Sequence, residues 1–243
     1  AYLLILNSLV MCGCKSKNKN KTYFTFDHNN IEETEIVDRD DANEVQVEKE
    51  EENNLLNEIV ICETQAFLKE DTPFFDNDLN EVIVPMYQKV NIEEIDDYLL
   101  LVSTDEGYKT KLTLNDLEIL PSTFVEVDIS DQEVKYFENN SESFNYNVVT
   151  GSDNTPTPLG YFTIDQKLYG TYLVGTGYKS WVDYWIQFEP NRGIGFHDAS
   201  WRDEFGGEIY HNNGSHGCVN SPNEGIEKLY NEVEIGTRVL IHK

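Results

Sequence analysis

The chain runs to 243 residues, 39% of them hydrophobic and 12% aromatic, enough for one or two domains with buried cores. Asp and Glu number 45 against 18 Lys and Arg, a formal net charge of -27, which argues against a nucleic-acid ligand because its recognition needs a basic footprint. Beyond residue 14 no uninterrupted apolar run approaches the ~20 residues of a spanning helix, so a bundle of such helices is excluded.

In chain order, the first segment is the apolar stretch Tyr2 to Met11, followed by Cys12-Gly13-Cys14. It is about as long as the hydrophobic region of a secretory signal and too short to span a bilayer. Residues 1–14 resemble the end of a bacterial lipoprotein signal, with Met11-Cys12-Gly13-Cys14 as an imperfect lipobox. Gly13 is the small residue needed before the cut, so Cys14 is the expected lipidation site; a plain signal peptide or an uncleaved anchor is the alternative. Lys15, Lys17, Lys19 and Lys21 would then lie on an anionic lipid surface. Residues 27–58 hold 13 acids against Arg39 and Lys49, with few aromatics and little periodicity, so 15–58 read as a disordered acidic tether.

Residues 59–121 alternate short apolar runs with polar turns. Strands are predicted at Ile59 to Cys62, Val82 to Val84, Tyr98 to Val102 and Tyr108 to Leu114, with turns at Thr72-Pro73, Asp76-Asn77 and Asp105-Glu106-Gly107. Cys62 fits a core position, where a thiol behaves as a small hydrophobe. The succession Ala66-Phe67-Leu68, Tyr98 to Val102, Gly107-Tyr108-Lys109 and Leu117 to Leu120 resembles a small SH3-like β-barrel of the kind that binds wall peptides or acts as a spacer.

In residues 122–243 strands are predicted at Phe124 to Ile129, Val134 to Phe137, Tyr146 to Val149, Tyr161 to Ile164 and Val239 to Ile241. One prominent helix is predicted at about 222–234. Ser221-Pro222-Asn223-Glu224 reads as a capping box with Pro at the first helical position, Ile226, Leu229, Tyr230 and Val233 recur at helical spacing, and Gly236 closes the helix. The expected architecture is therefore mainly β: a small barrel, then a β-rich domain with one helix.

The residues that carry chemistry are Ile194-Gly195-Phe196-His197-Asp198 and Gly214-Ser215-His216-Gly217-Cys218-Val219-Asn220. A thiol nucleophile needs a base or cation, access, and donors aimed at the oxyanion. His197 and His216 are candidate bases. The positive end of the following helix could hold a thiolate, and Gly217 lets main-chain N–H groups face the reacting carbonyl. His211 reads as a surface or lid residue, and His216 as either a loop-holding or a substrate-contacting histidine. Trp201 and Trp185 fit either a cleft or a core. His197, His211, His216 and Cys218 are ligand types that zinc accepts, but without the close ligand pairs of a structural site, so no metal and no other cofactor is expected.

His197, seventeen intervening residues, then Ser215-His216-Gly217-Cys218-Val219-Asn220 resembles the signature of the L,D-transpeptidase catalytic domain, the YkuD family. Val149-Thr150-Gly151, Thr155 to Ile164, Val182 to Trp185, Trp201-Arg202 and Phe205-Gly206-Gly207 fit the same family. The resemblance implies a peptidoglycan L,D-transpeptidase outside the cytoplasmic membrane. Cys218 would attack a donor tetrapeptide stem and release D-Ala through a thioester, with His197 as proton acceptor and donor and the Asp198 backbone orienting its ring. His216, Gly217 and Asn220 would shape the pocket and the oxyanion environment, and Ser215, Asn220, Trp201 and Tyr184 would bind substrate. The implied partners are stem peptides and, through Cys14, the membrane; the protein is expected to be a monomer. An L,D-carboxypeptidase using the same thioester and a non-catalytic wall-binding lipoprotein are the alternatives.

Overall fold

A computed structural model describes residues 64–243 apart from 97, 98 and 176. The predicted signal with Cys14, the acidic tether, and the predicted strand at Ile59 to Cys62 lie outside the described residues.

The first sheet holds β1 (Gln65–Leu68), β2 (Thr72–Phe75), β3 (Glu81–Val84), β4 (Lys89–Asp96), β5 (Leu99–Ser103), β6 (Lys109–Leu112) and β7 (Leu117–Ile119). All pairings are antiparallel, in the order β3-β2-β6-β5-β4-β1-β7. Leu68, Phe74, Val90, Ile92, Leu100 and Val102 form its core. The predicted turn at Thr72-Pro73 is instead the start of β2, where Pro73 lies opposite Ile83 of β3. On its other side β2 meets β6 only at Phe75, so the missing proline N–H breaks no ladder bond there. The strand predicted at Tyr108 to Leu114 ends at Leu112, and Leu114–Asp116 turn as a 3-10 helix.

The remaining residues build two further sheets. One has the order β10-β9-β8-β16-β11, from β8 (Phe124–Asp128), β9 (Glu133–Glu138), β10 (Ser141–Asn147), β11 (Gly160–Thr163) and β16 (Arg238–His242). The carboxy-terminal β16 runs parallel to β8 and antiparallel to β11. The other has the order β12-β13-β14-β15, from β12 (Gln166–Gly175), β13 (Tyr178–Glu189), β14 (Ile194–Asp198) and β15 (Val219–Ser221). A short helix α1 (Ile209–Asn213) lies in the connection between β14 and β15, and α2 (Asn223–Glu232) follows β15.

Val125, Val127, Val134, Ile186, Phe188, Phe196, Val219 and the α2 residues Ile226 and Leu229 share one buried core. The predicted helix is therefore present, with its predicted apolar face inward, but its ends differ. Ser221 belongs to β15, Pro222 is the N-cap in an extended conformation without a side-chain cap bond, and the chain leaves the helix at Val233. Gly236, at φ +100°, serves the turn into β16.

The first sheet docks on the second through Phe67 and Leu120 packed with Phe124, Phe137 and Leu240. Beside this apolar contact, the Lys89 ammonium donates to Glu126 at 2.9 Å, and His242 Nε2 meets the other Glu126 oxygen at 2.7 Å. All three side chains are buried.

Candidate active site

β14 is buried at all five positions between β13 and β15. Gly195 permits this packing: a Cβ there would stand 2.3 Å from the Ile186 carbonyl oxygen of β13. The antiparallel register then puts His197 opposite Trp185, and the parallel register puts it opposite Asn220. Cys218 is the last residue before β15, where the parallel register continued by one residue sets it level with Gly195, two residues from His197 and on the same face of the sheet.

Both line one cavity of about 250 Å³, whose walls include Tyr178, Trp201, Arg202, Ser215 and His216. Its Cys218 floor is shared with a second cavity of about 260 Å³ beneath the β12–β13 hairpin, and Leu173 and Tyr178 line both.

His197 Nδ1 lies 2.8 Å from the Asp198 carbonyl oxygen. A carbonyl only accepts, so Nδ1 carries the hydrogen and Nε2 of the neutral ring keeps its lone pair. Asn220 lies across that nitrogen. Its Nδ2 donates to His197 Nε2 at 3.1 Å, and its Oδ1 accepts from Arg202 Nε at 2.8 Å and Nη2 at 3.2 Å. The opposite amide orientation would set NH2 against the guanidinium and oxygen against an imidazole lone pair.

The loop before Cys218 is held from a segment some 60 residues away. Ser215 N–H donates to the Thr150 carbonyl, and the Ser215 carbonyl accepts from Ser152 N–H and from Thr155 Oγ1 at 2.8 Å. Thr157 Oγ1 donates to the Gly217 carbonyl at 2.9 Å and accepts from Gly151 N–H at 2.9 Å. Gln132, buried, accepts from Thr150 N–H and donates to its hydroxyl. Within the loop, Ser215 Oγ donates to the Cys218 carbonyl and accepts from Gly217 N–H.

Comparison with known proteins places this site in a family. Residues 122–241 match the family model described as YkuD, the L,D-transpeptidase catalytic domain. Those residues form a YkuD-family domain. Probable L,D-transpeptidase 3 of Mycobacterium tuberculosis is 33% identical over 104 residues, 38% of this chain and 36% of that protein. The chain thus matches about a third of the length of this curated relative. A crystal structure of a cysteine-to-serine mutant of Enterococcus faecium L,D-transpeptidase is 28% identical with a TM-score of 0.50, over 72% of this chain and 75% of that one. An Ldtfm–avibactam carbamoyl enzyme is 26% identical with a TM-score of 0.51, over 80% and 79%.

Electrostatics in the YkuD domain set both members of the pair as neutral. Burial lowers the His197 pKa to about 4, the Asp198 backbone bond opposing and the Arg202 charge adding to the effect. Burial also pushes the Cys218 thiol up, with the Gly195 N–H opposing it. The residue as a whole is part-exposed, and its thiol donates to the Gly193 carbonyl oxygen at 3.9 Å. The helix that was expected to hold a thiolate starts only after β15, and nothing in its placement offsets the burial.

Of the other predicted site residues, His216 is exposed at the cavity rim, stacked on Tyr178 with ring centres 5.7 Å apart. Trp201 is half-exposed on the cavity wall, 5.8 Å from the His197 ring, and buried Trp185 lies 6.1 Å from it. Gly217 takes φ +113°, and its N–H donates to Ser215 Oγ at 3.0 Å. Tyr184 does not line the cavity: its ring packs on Tyr169 and on Tyr230 of α2, because β13 alternation turns it to the helix side. His211 is in α1 and pairs with Asp153 and Glu208. Among the described residues no cluster of three or more His, Cys, Asp or Glu is set to hold a metal, and no helix is long and apolar enough to cross a membrane.

Sequence reasoning named Arg202, Thr155 and Thr157 within family-like segments but gave them no role. The Thr-Pro-Thr-Pro run at 155–158 was the available signal, since prolines fix a loop and hydroxyls can bond a neighbouring backbone.

Proposed function

We propose that the protein is a peptidoglycan L,D-transpeptidase with Cys218 as nucleophile. The observation that carries this reading is that Cys218 and His197 share one cavity while the Nδ1 bond to Asp198 leaves Nε2 as the basic nitrogen. In the first half-reaction Sγ bonds to the carbonyl carbon of the donor stem, its proton passes to Nε2, and the carbonyl π pair moves to oxygen. Collapse restores the C=O, breaks the C–N bond, and the departing D-Ala amine takes the proton from Nε2. An acceptor amine then attacks the thioester, gives its proton to Nε2, and the sulfur leaves and is reprotonated. With Gly217 N–H engaged, other main-chain N–H groups of the 214–218 loop are left to meet the oxyanion.

Two cavities meeting at Cys218 favour transfer between two peptides over hydrolysis. The first sheet would serve as an SH3-like spacer or wall-binding module, and a lipid on Cys14 would hold a monomeric enzyme at the outer face of the membrane. Intact mass after carbapenem exposure tests the core of the reading. An adduct on the wild type that is absent in Cys218→Ala supports it, and no adduct on folded wild type overturns it. Incubation with tetrapeptide monomer separates the outcomes: cross-linked dimers support transfer, while loss of D-Ala alone marks a carboxypeptidase.

A further inference from the structure

The polar network behind His197 contains one member that the reaction described above does not use. Arg202 follows β14 by way of a turn in which its N–H donates to the Ala199 carbonyl. Its guanidinium spends two donors on a single acceptor, Asn220 Oδ1. An amide whose oxygen is pinned in this way has only its NH2 left to present, and that group meets Nε2. We infer that Arg202 is a positioning residue of the acyl-transfer site, which acts through Asn220 to aim an N–H at His197 Nε2 and so hold the ring neutral with that nitrogen unprotonated.

Each end of the imidazole then has a single compatible state. Nδ1–H must donate to the Asp198 carbonyl, and Nε2 must accept from Asn220. Were Nε2 protonated, two N–H groups would face each other, and Asn220 could turn its oxygen to the ring only by setting NH2 against the guanidinium. The charged or titratable groups around the ring do not offset this. Arg202 is a cation and Cys218 is an uncharged thiol, while the buried Asp198 carboxylate faces away, accepting from Tyr184 N–H at 2.8 Å. The two tryptophans flanking the ring, Trp185 and Trp201, carry no charge.

The consequence for acyl transfer rests on the function proposed above. A ring held neutral is ready to take the thiol proton, and the imidazolium formed during attack meets an unfavourable neighbour. It is therefore a stronger acid, and it returns its proton readily to the departing amine.

The test is a titration of His197 by ring-nitrogen NMR in the full chain, which needs no substrate. In Arg202→Met the Asn220 amide is free to turn, and the protonation midpoint of His197 should rise by about one pH unit or more. The acidic limb of carbapenem acylation should move with it. Removing the guanidinium also removes a charge, so the same substitution is repeated on Asn220→Ala. If Arg202 acts through the amide, it shifts the midpoint much less on that background; equal shifts on both backgrounds overturn the inference, as does an unmoved midpoint in Arg202→Met. Should Arg202→Met fail to fold, Asn220→Asp carries the test: a carboxylate accepting from Nε2–H should raise the midpoint by more than about one unit, and no change overturns the placement. A wild type without an adduct sinks the proposed function while leaving this titration intact; an adduct with an unmoved midpoint sinks only the role of Arg202.

Discussion

Replacing Glu126 by Gln removes the carboxylate that bridges Lys89 and His242. Burial by itself would raise the Glu126 carboxyl, but the His242 hydrogen bond and the Lys89 charge overcome it and hold the pKa at about 2 instead of the ordinary 4.5. At 1.36 kcal/mol per pH unit that displacement is worth roughly 3 kcal/mol. A group whose folded pKa is depressed contributes fully above its unfolded value, and the contribution fades as pH falls from about 4.5 toward 2. His242 has the opposite sign: burial lowers it, the Glu126 hydrogen bond and charge more than reverse that, and its contribution fades as pH rises from 6.5 through its raised folded value. The cluster therefore stabilises the fold most between about pH 4.5 and 6.5. The substituted amide could still accept from Lys89 and donate to a neutral His242, so the loss should sit near the lower end of the ~3–5 kcal/mol found when one partner of a buried pair is removed. Urea unfolding followed by the fluorescence of Trp181, Trp185 and Trp201 should show Glu126→Gln less stable by about 3 kcal/mol at pH 5.5 and by roughly 1 kcal/mol at pH 3. A loss below ~1 kcal/mol at pH 5.5, or the same loss at both pH values, would refute the reasoning.

Other consequences of the structure are open to measurement. Thr157→Val removes the bonds to the Gly217 carbonyl and from Gly151 N–H in a buried setting; a melting curve should show about 1–3 kcal/mol of lost stability, with slower carbapenem acylation as the loop before Cys218 loosens. Gly195→Ala sets a methyl against the Ile186 carbonyl, so it should cost at least ~2 kcal/mol, and a variant with unchanged melting would show that β13 and β14 can part without effect. Because burial raises the Cys218 thiol above its ordinary value, its alkylation rate with iodoacetamide should be slow at neutral pH and keep climbing beyond pH ~9, whereas a plateau by pH ~7 would reveal a resting thiolate.

The strands legible in the sequence are those with a simple burial pattern. Val239 to Ile241 is an apolar run, and Phe124 to Ile129 and Val134 to Phe137 are apolar apart from Glu126, Asp128 and Lys135, because β8, β9 and β16 are the middle of a sheet. The β12–β13 hairpin has no such signal. Tyr169, Tyr172, Val174 and Trp181 are exposed along it, so its aromatics do not follow the in-and-out alternation that marks a half-buried strand. β10 begins earlier in the chain than the predicted strand at Tyr146 to Val149 for a related reason: it is an edge strand reading Ser-Glu-Ser-Phe-Asn-Tyr-Asn, and only Phe144 and Tyr146 turn inward. Cys218 and His197 are legible because motif spacing carries them. Tyr184 is not, because nothing in the sequence tells which face of β13 borders the cavity.

What local reading does not reach has a common geometric origin in parallel pairing. Antiparallel neighbours are joined by turns, so residues that face each other lie close in sequence, whereas a parallel pair needs a crossover of a dozen residues or more. β14 and β15 are such a pair, and residues 199–218 cross between them. That crossover does two things at once: it sets Asn220 beside His197, and it carries Trp201, Arg202, Ser215 and His216 over the strand ends as cavity walls. β8 and β16 are the second parallel pair, and their register brings the last strand of the chain alongside the first strand of the domain, so that His242 meets Glu126 across 116 residues. One pairing thus assembles the reactive site and the other fastens the sheet on which the amino-terminal module rests through Lys89. A substitution that slips either register should therefore act at a distance, β14–β15 slippage through loss of acylation and β8–β16 slippage through loss of the docked module.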